Sequence, residues 1–351
     1  MVSATKLHVV RLTGPIFMPG GHERAEIARH GWSFTTVGGT APDEIVPHLF
    51  DADIVSVVGT KMPSPVIDAL EANGRCRAIA RLGAGTDRID VARATACGIV
   101  VMNTPYFCVE EQADHAMAMI LSLARKLPLA QRLIEEGDYA GARRASGTNP
   151  RMSRATLGLV GFGRSAVHLA RRARGFGMRV IATRRNMEAP TTEADAIGVE
   201  MVDLDTVLRD SDFVSLHLPL VPSSYHLIDA AAIARMRAGS FLVNTSRGAL
   251  VDEDALAGAV RSGHLAGAGL DTFESFDPLE DSGPPRRHPL MGLDNVVLSP
   301  HVAAGSNRSG TDSVDAAIAN IASIAAGCWP PLEHCVNREV VPRFPLRECV
   351  A

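Results

Sequence analysis

Three side chains of complementary chemistry close apolar, strand-like runs in the second half of this chain. Arg247 lies in Asn244-Thr245-Ser246-Arg247-Gly248-Ala249-Leu250-Val251-Asp252, Asp271 follows Gly267-Ala268-Gly269-Leu270, and His301 ends Ser299-Pro300-His301. A further acid stands beside a proline at Asp277-Pro278. A guanidinium polarises a carbonyl, an imidazole gives or takes a proton near neutrality, and a nearby carboxylate keeps that imidazole charged. These are the parts needed to polarise a 2-oxo acid and move a proton.

Upstream, Gly161-x-Gly163-x-x-Ala166 follows the apolar run Leu157–Val160 and precedes a helical pattern over Val167–Phe176. In that setting the first glycine permits a tight turn, the second admits a pyrophosphate, and Ala166 is small enough for close helix packing. The helix amino end adds free N–H groups, so Gly161, Phe162, Gly163, Arg164 and Ser165 form a dinucleotide cradle. An NAD site would carry Asp or Glu roughly 20 residues further on. Here the next strand ends in Thr183-Arg184-Arg185-Asn186, and two guanidiniums suit a 2′-phosphate, which favours NADP over NAD. The alternative is a solvated basic turn. Cradle and polar side chains together point to hydride transfer.

The elements that must position these groups read as α/β: short apolar strands alternate with helical patterns, as in parallel sheets with crossover helices. Strands are expected at Leu7–Leu12, Ile54–Val58, Ala78–Arg81 and Ile99–Met102, then at Leu157–Val160, Arg179–Ala182, Phe213–Leu218, Phe241–Asn244, Ala268–Leu270 and Val296–Leu298. The spacing predicts helices over His22–His30, Pro65–Ala72 and Val314–Ala326. A long helix over about 109–136 should kink or break at Pro128, and it bridges domains or forms a subunit interface of a homodimer. Gly141–Pro150 reads as a surface loop.

At 351 residues, 46% hydrophobic and 21% charged, the chain reads as an ordinary globular protein of two domains, and the alternation of strands and helices makes the expected fold two doubly wound, Rossmann-like parallel-sheet domains with a cleft between them. Residues 1–104 with 305–351 would make a discontinuous substrate domain, and 105–304 the dinucleotide-binding domain. A formal charge of −4 without a concentrated basic face argues against nucleic acid as a partner. No apolar run is long enough to span a bilayer, and Met1–Val10 lacks the pattern of a secretory signal, so no membrane association and a cytoplasmic address are expected. The six cysteines form no C-x-x-C pair; no metal site and free thiols are expected.

Several motifs in order resemble the D-isomer-specific 2-hydroxyacid dehydrogenase family, with its phosphoglycerate dehydrogenase, glyoxylate/hydroxypyruvate reductase and C-terminal-binding-protein branches. They are Arg81-Leu82-Gly83-Ala84-Gly85-Thr86-Asp87-Arg88-Ile89-Asp90, Asn103-Thr104-Pro105, the glycine cradle, His217-Leu218-Pro219-Leu220, the Arg247 run, Gly267–Asp271 and Ser299-Pro300-His301. The likeness runs from about Arg81 to about Ser306. It implies that Arg247 holds the substrate carboxylate and carbonyl oxygen and that His301 is the acid/base. The turn at Ala84 and Gly85 would grip the substrate carboxylate through its backbone. Asp271 would orient the nicotinamide carboxamide, while Thr104, His217, Pro219, Thr245 and Ala303 would line the cofactor channel. Apart from the resemblance, Lys61 follows the expected strand Ile54–Val58 and is placed at the distal end of the substrate.

One departure concerns the acid that pairs with the histidine. The family usually has it five positions after the aspartate and directly before proline. That position is Phe276 here, and Asp277-Pro278 follows. Asp277, through a one-residue insertion, or Glu274 would take the part. The resemblance therefore implies an NAD(P)-dependent reductase of a small 2-oxo acid, or oxidant of the 2-hydroxy acid, with a dinucleotide-sensing, corepressor-like binding protein as the alternative.

Overall fold

Strands rich in Val, Ile, Leu and Ala and buried on both faces are what a parallel sheet covered by helices requires. The computed structural model, which describes residues 6–14, 17–276 and 287–349, contains two such sheets. By their contacts the elements form two compact units, one made mainly of Met1–Cys108 and Ser306–Ala351, the other of Val109–Pro278 and Gly283–Gly305.

The first unit is built on β1 (His8–Thr13), β2 (Ser33–Gly38), β3 (Ile54–Val57), β4 (Ala78–Arg81) and β5 (Val100–Met102), all parallel in the order β2-β1-β3-β4-β5. Alternate residues serve opposite faces, as the two-residue period of a strand dictates. Val10, Leu12, Val55, Val57 and Ile79 pack with Ile67 and Leu70 of the helix Ser64–Ala72. Val9, Ile54, Ala78 and Ala80 pack with Ile27 of the helix Gly21–Arg29 and with Ile318, Ile321 and Ile324 of the helix Ser309–Ala325. The last helix thus completes the unit that the first residues begin.

In the second unit β6 (Thr156–Val160), β7 (Arg179–Thr183), β8 (Val199–Met201), β9 (Phe213–Leu216), β10 (Phe241–Asn244), β11 (Gly267–Leu270) and β12 (Val296–Leu298) form a parallel sheet ordered β12-β11-β10-β9-β6-β7-β8. The helices Val109–Arg125 and Arg164–Gly175 cover one face through Ala113, Ala116, Ile120, Leu169 and Ala173. Val207, Leu208, Leu256 and Val260 cover the other. Strand order reverses between β6 and β9, the place where open α/β sheets bind ligands.

The break expected near Pro128 is present, and two other expectations change. The long helix stops at Arg125, Lys126 adopts a left-handed backbone (φ 53°), and a second helix runs over Leu127–Glu135 with Pro128 in its first turn, where a missing N–H is harmless. The expected loop at Gly141–Pro150 is largely helical: Tyr139–Ser146 forms a helix because the Asp138 carboxylate caps the Gly141 N–H at 2.7 Å. The expectation of free thiols fails for one pair, since Cys328 and Cys349 are joined by a disulfide. A backbone bridge between Cys328 and Arg347 brings the two together. Among the described residues no helix is long and apolar enough to cross a membrane.

Candidate active site

Five adjacent strands, β6, β9, β10, β11 and β12, end in Gly161, His217, Thr245–Arg247, Asp271 and Ser299–His301. Parallel strands in register put all these carboxyl ends along one edge of the second sheet. Residues scattered over much of the chain are gathered there by topology alone.

At the β6 end, Gly161 has φ 94°, and a Cβ there would collide with the His217 carbonyl. Only glycine meets both conditions. Gly163 caps the helix Arg164–Gly175, and apart from its immediate chain neighbours no described residue comes within 4 Å of where its Cβ would be. The first helical turn has N–H groups without intrahelical acceptors, so this open space beside a helix amino end fits a dinucleotide pyrophosphate. His217 is buried, with Nδ1 3.1 Å from Ser165 Oγ and Nε2 3.0 Å from Ser215 Oγ. Burial pushes its pKa down to about 4, so it is a neutral, satisfied ring. Its links tie the cradle to the end of β9.

Arg247 is braced by a neighbour. Asn244, fully buried, accepts from Ser246 N at 3.0 Å and donates to Arg247 O at 2.8 Å, closing the turn that carries the guanidinium. Ser246 Oγ fastens the same turn to Leu216 O at 2.7 Å. Gln112 Nε2 donates to Thr245 O at 3.0 Å.

Asp271 is 0% exposed and organises the loop that bears His301. Its Oδ1 accepts from Ser299 Oγ at 2.5 Å and Val302 N at 2.9 Å; Oδ2 accepts from Ala303 N at 2.8 Å. The Asp271 carbonyl accepts from His301 N at 2.7 Å. His301 itself has φ 55°, a left-handed backbone that a non-glycine residue holds only when its surroundings over-determine it. Behind this loop sits a residue that the sequence did not single out: His115 Nε2 is 2.8 Å from Ser299 Oγ and 3.6 Å from Asp271 Oδ1. It arrives on the helix Val109–Arg125, far from Ser299 in the chain, so no local motif signalled it.

Two expected roles shift. Glu274, the alternative acid for His301, instead engages Tyr225 Oη at 2.8 Å through Oε1 and His226 Nε2 at 2.7 Å through Oε2. Asp277 lies outside the described residues. Of the two arginines after β7, Arg184 folds its guanidinium onto the Ala189 and Pro190 carbonyls and so braces its own loop. Arg185 is exposed and reaches Ser223 Oγ at 3.3 Å. Pro219 accepts, through its carbonyl, from Ser224 Oγ at 2.8 Å.

Within the first unit, β4 ends in the Gly83-Ala84-Gly85 turn. Thr104 is buried, with Oγ1 3.2 Å from Ser313 Oγ and its N–H on Gly83 O at 3.1 Å. Lys61 is exposed just before Met62, which pairs with Ile89. The ring of Tyr106 meets His334 edge-on at 5.9 Å.

Comparison with known proteins agrees with this geometry. The profile described as D-isomer specific 2-hydroxyacid dehydrogenase, NAD binding domain, matches residues 117–303. The chain is similar to a glyoxylate reductase of Korarchaeum cryptofilum, 38% identical over 308 residues that cover 85% of this chain and 86% of that protein. It is likewise 38% identical over 265 residues to a hydroxypyruvate reductase of Thermotoga maritima, covering 75% and 82% of the two. A crystal structure of a glyoxylate reductase from Paecilomyes thermophila superimposes with a TM-score of 0.79 at 28% identity, over 91% of this chain and 95% of that one.

Proposed function

Since the chain belongs to the D-isomer-specific 2-hydroxyacid dehydrogenase family, and is thereby a nicotinamide-dinucleotide-dependent oxidoreductase of 2-hydroxy acids, we propose that it reduces a small 2-oxo acid of the glyoxylate or hydroxypyruvate type, preferring NADPH. The observation that carries this reading is the row of Gly161, His217, Arg247, Asp271 and His301 along adjacent strand ends.

When bound, the nicotinamide supplies the hydride. Arg247 binds the carboxylate and carbonyl oxygen of the substrate through its planar fork and stabilises the negative charge that grows on that oxygen. His301 delivers the proton that completes the hydroxyl and removes it in the reverse direction. Because Glu274 is engaged by Tyr225 and His226, the acid assigned to His301 is Asp277. Asp271 holds the His301 loop, and its buried carboxylate is already satisfied by three donors, so its contribution runs through His301. Ala84 and Gly85 grip the substrate carboxylate through main-chain N–H groups, with Lys61 beyond.

Cofactor choice rests on Arg185 with Ser223: a side-chain fork beside a hydroxyl suits a 2′-phosphate. Arg184 supports the loop behind it. A homodimer is supported by Leu127, Ile134 and Tyr139, large apolar residues exposed on the paired helices Leu127–Glu135 and Tyr139–Ser146.

The test follows nicotinamide absorbance with NADPH and NADH over glyoxylate, hydroxypyruvate and larger 2-oxo acids. Turnover in the native protein that falls about a hundredfold to a thousandfold in kcat for Arg247→Lys supports the enzyme. Tight dinucleotide binding with no oxidation of any 2-oxo acid would instead support a sensor.

A further inference from the structure

The turn after β4 is clamped from behind. Four successive carbonyls each receive a donor: Leu82 O from Arg81 Nη1, Gly83 O from Thr104 N at 3.1 Å, Ala84 O from Asn103 Nδ2 at 2.7 Å, and Gly85 O from Arg81 Nε at 3.0 Å. In a trans peptide, the N–H of the next residue points away from the carbonyl it follows. Fixing the carbonyls of Gly83, Ala84 and Gly85 therefore also fixes the N–H groups of Ala84, Gly85 and Thr86, each directed away from its own peptide's carbonyl. None of those three N–H groups has an acceptor among the described residues. Successive N–H groups left without protein acceptors are the material of an anion nest.

Arg81 supplies two of the four donors and fills the space that a side chain at position 83 would need. Gly83 has φ 145°, and a Cβ there would strike the Arg81 guanidinium. The glycine and the arginine are thus specified together: one makes room, the other locks the turn.

We propose that Arg81 is a positioning residue that presets the backbone nest for the substrate carboxylate and lends it a permanent positive charge from behind. The proposal rests on the reading of Ala84 and Gly85 as the carboxylate grip. A carboxylate carries its charge unchanged from ground state to transition state, so this device acts on binding rather than on the chemical step. Its signature differs from that of Arg247, which faces charge that develops during reaction.

The experiment compares native protein with Arg81→Met and Arg81→Lys in steady-state reduction of glyoxylate, in calorimetric titration of oxamate in the presence of NADH, and in NADPH affinity and melting temperature. The expectation for Arg81→Met is a rise in KM and in oxamate Kd on the order of tenfold, from loss of charge-assisted hydrogen bonding. kcat and NADPH affinity should stay within about twofold, since no transition-state contact is removed. Arg81→Lys, with one cation but no fork, should fall between the two. In Arg81→Met, millimolar guanidinium chloride should restore part of the oxamate affinity. Unchanged oxamate Kd in a folded Arg81→Met, or loss of kcat with KM unmoved, overturns the proposal. If native protein binds oxamate in an Arg81-dependent way yet reduces no 2-oxo acid, the functional reading fails while the nest stands.

Discussion

Replacing Asp271 by Asn keeps the shape of the side chain and removes one acceptor, which makes it a sharp test of the His301 loop. The carboxylate accepts from Ser299 Oγ and Val302 N on one oxygen and from Ala303 N on the other, with no exposure to water. An amide offers a single acceptor oxygen. If it keeps the Ser299 and Val302 bonds, its NH2 faces the Ala303 N–H, donor against donor, and that buried N–H is orphaned; the reverse orientation orphans the Val302 N–H instead and forces Ser299 Oγ to accept rather than donate. Loss of one charge-assisted bond together with an unsatisfied buried donor costs about 2–4 kcal/mol. Because His301 holds its left-handed backbone only within this network, a shift of the loop should also lower kcat, about a hundredfold for a displacement near 1 Å. Urea unfolding reads the first effect, and NADPH oxidation with glyoxylate reads the second. A variant with the native unfolding midpoint and kcat within twofold would refute the assignment of Asp271 as the organiser of this loop.

Other expectations address separate features. His217 is buried and neutral, its folded pKa lowered from the ordinary 6.5 to about 4. Protons therefore bind the unfolded chain first, and the stability it contributes is present above pH 6.5 and lost as pH falls towards 4, by roughly 3 kcal/mol across that window; urea midpoints against pH should flatten there in His217→Gln. Arg185→Asp should lower the NADPH/NADH ratio of kcat/KM by about tenfold or more, whereas Arg184→Ala should leave the ratio near native and lower the melting temperature; equal ratios in all three proteins would remove the phosphate clamp. Cys328→Ser, or reduction of the native protein, should destabilise the first unit by up to about 3 kcal/mol, since the bridge closes a loop with a sequence separation of 21. Identical unfolding curves with and without reductant would contradict that.

The candidate site was legible in the sequence because each of its polar residues closes an apolar strand, and a parallel sheet collects strand ends whatever their separation along the chain. Arg247, Asp271 and His301 fall where the patterns placed them, and so does the glycine cradle. What escaped lies at edges or depends on contacts distant in sequence. β2, with Ser33, Thr35 and Thr36 along it, pairs on one side only, so its half-polar pattern resembles a loop. β8 is a three-residue edge strand next to β7. The helix Tyr139–Ser146 was hidden by Gly141 within it and Gly147 just after it, although Asp138 is a good cap. Arg184 and Arg185 are adjacent in sequence, yet one turns inward to carbonyls and the other outward. The bond from His115 to Ser299 and the capture of Glu274 by Tyr225 and His226 are tertiary facts without a local signature.

The helix Ser309–Ala325 has a bearing on biosynthesis. Its Ile318, Ile321 and Ile324 cover the sheet face formed by Val9, Ile54 and Ala80, but they leave the ribosome only after the whole intervening unit has been made. At ordinary elongation rates that face waits for tens of seconds covered only in part, by Ile27 and Trp32. The inserted unit, whose described parts are complete before that helix emerges, can mature first, while the amino-terminal sheet is the stretch most in need of a chaperone until translation finishes.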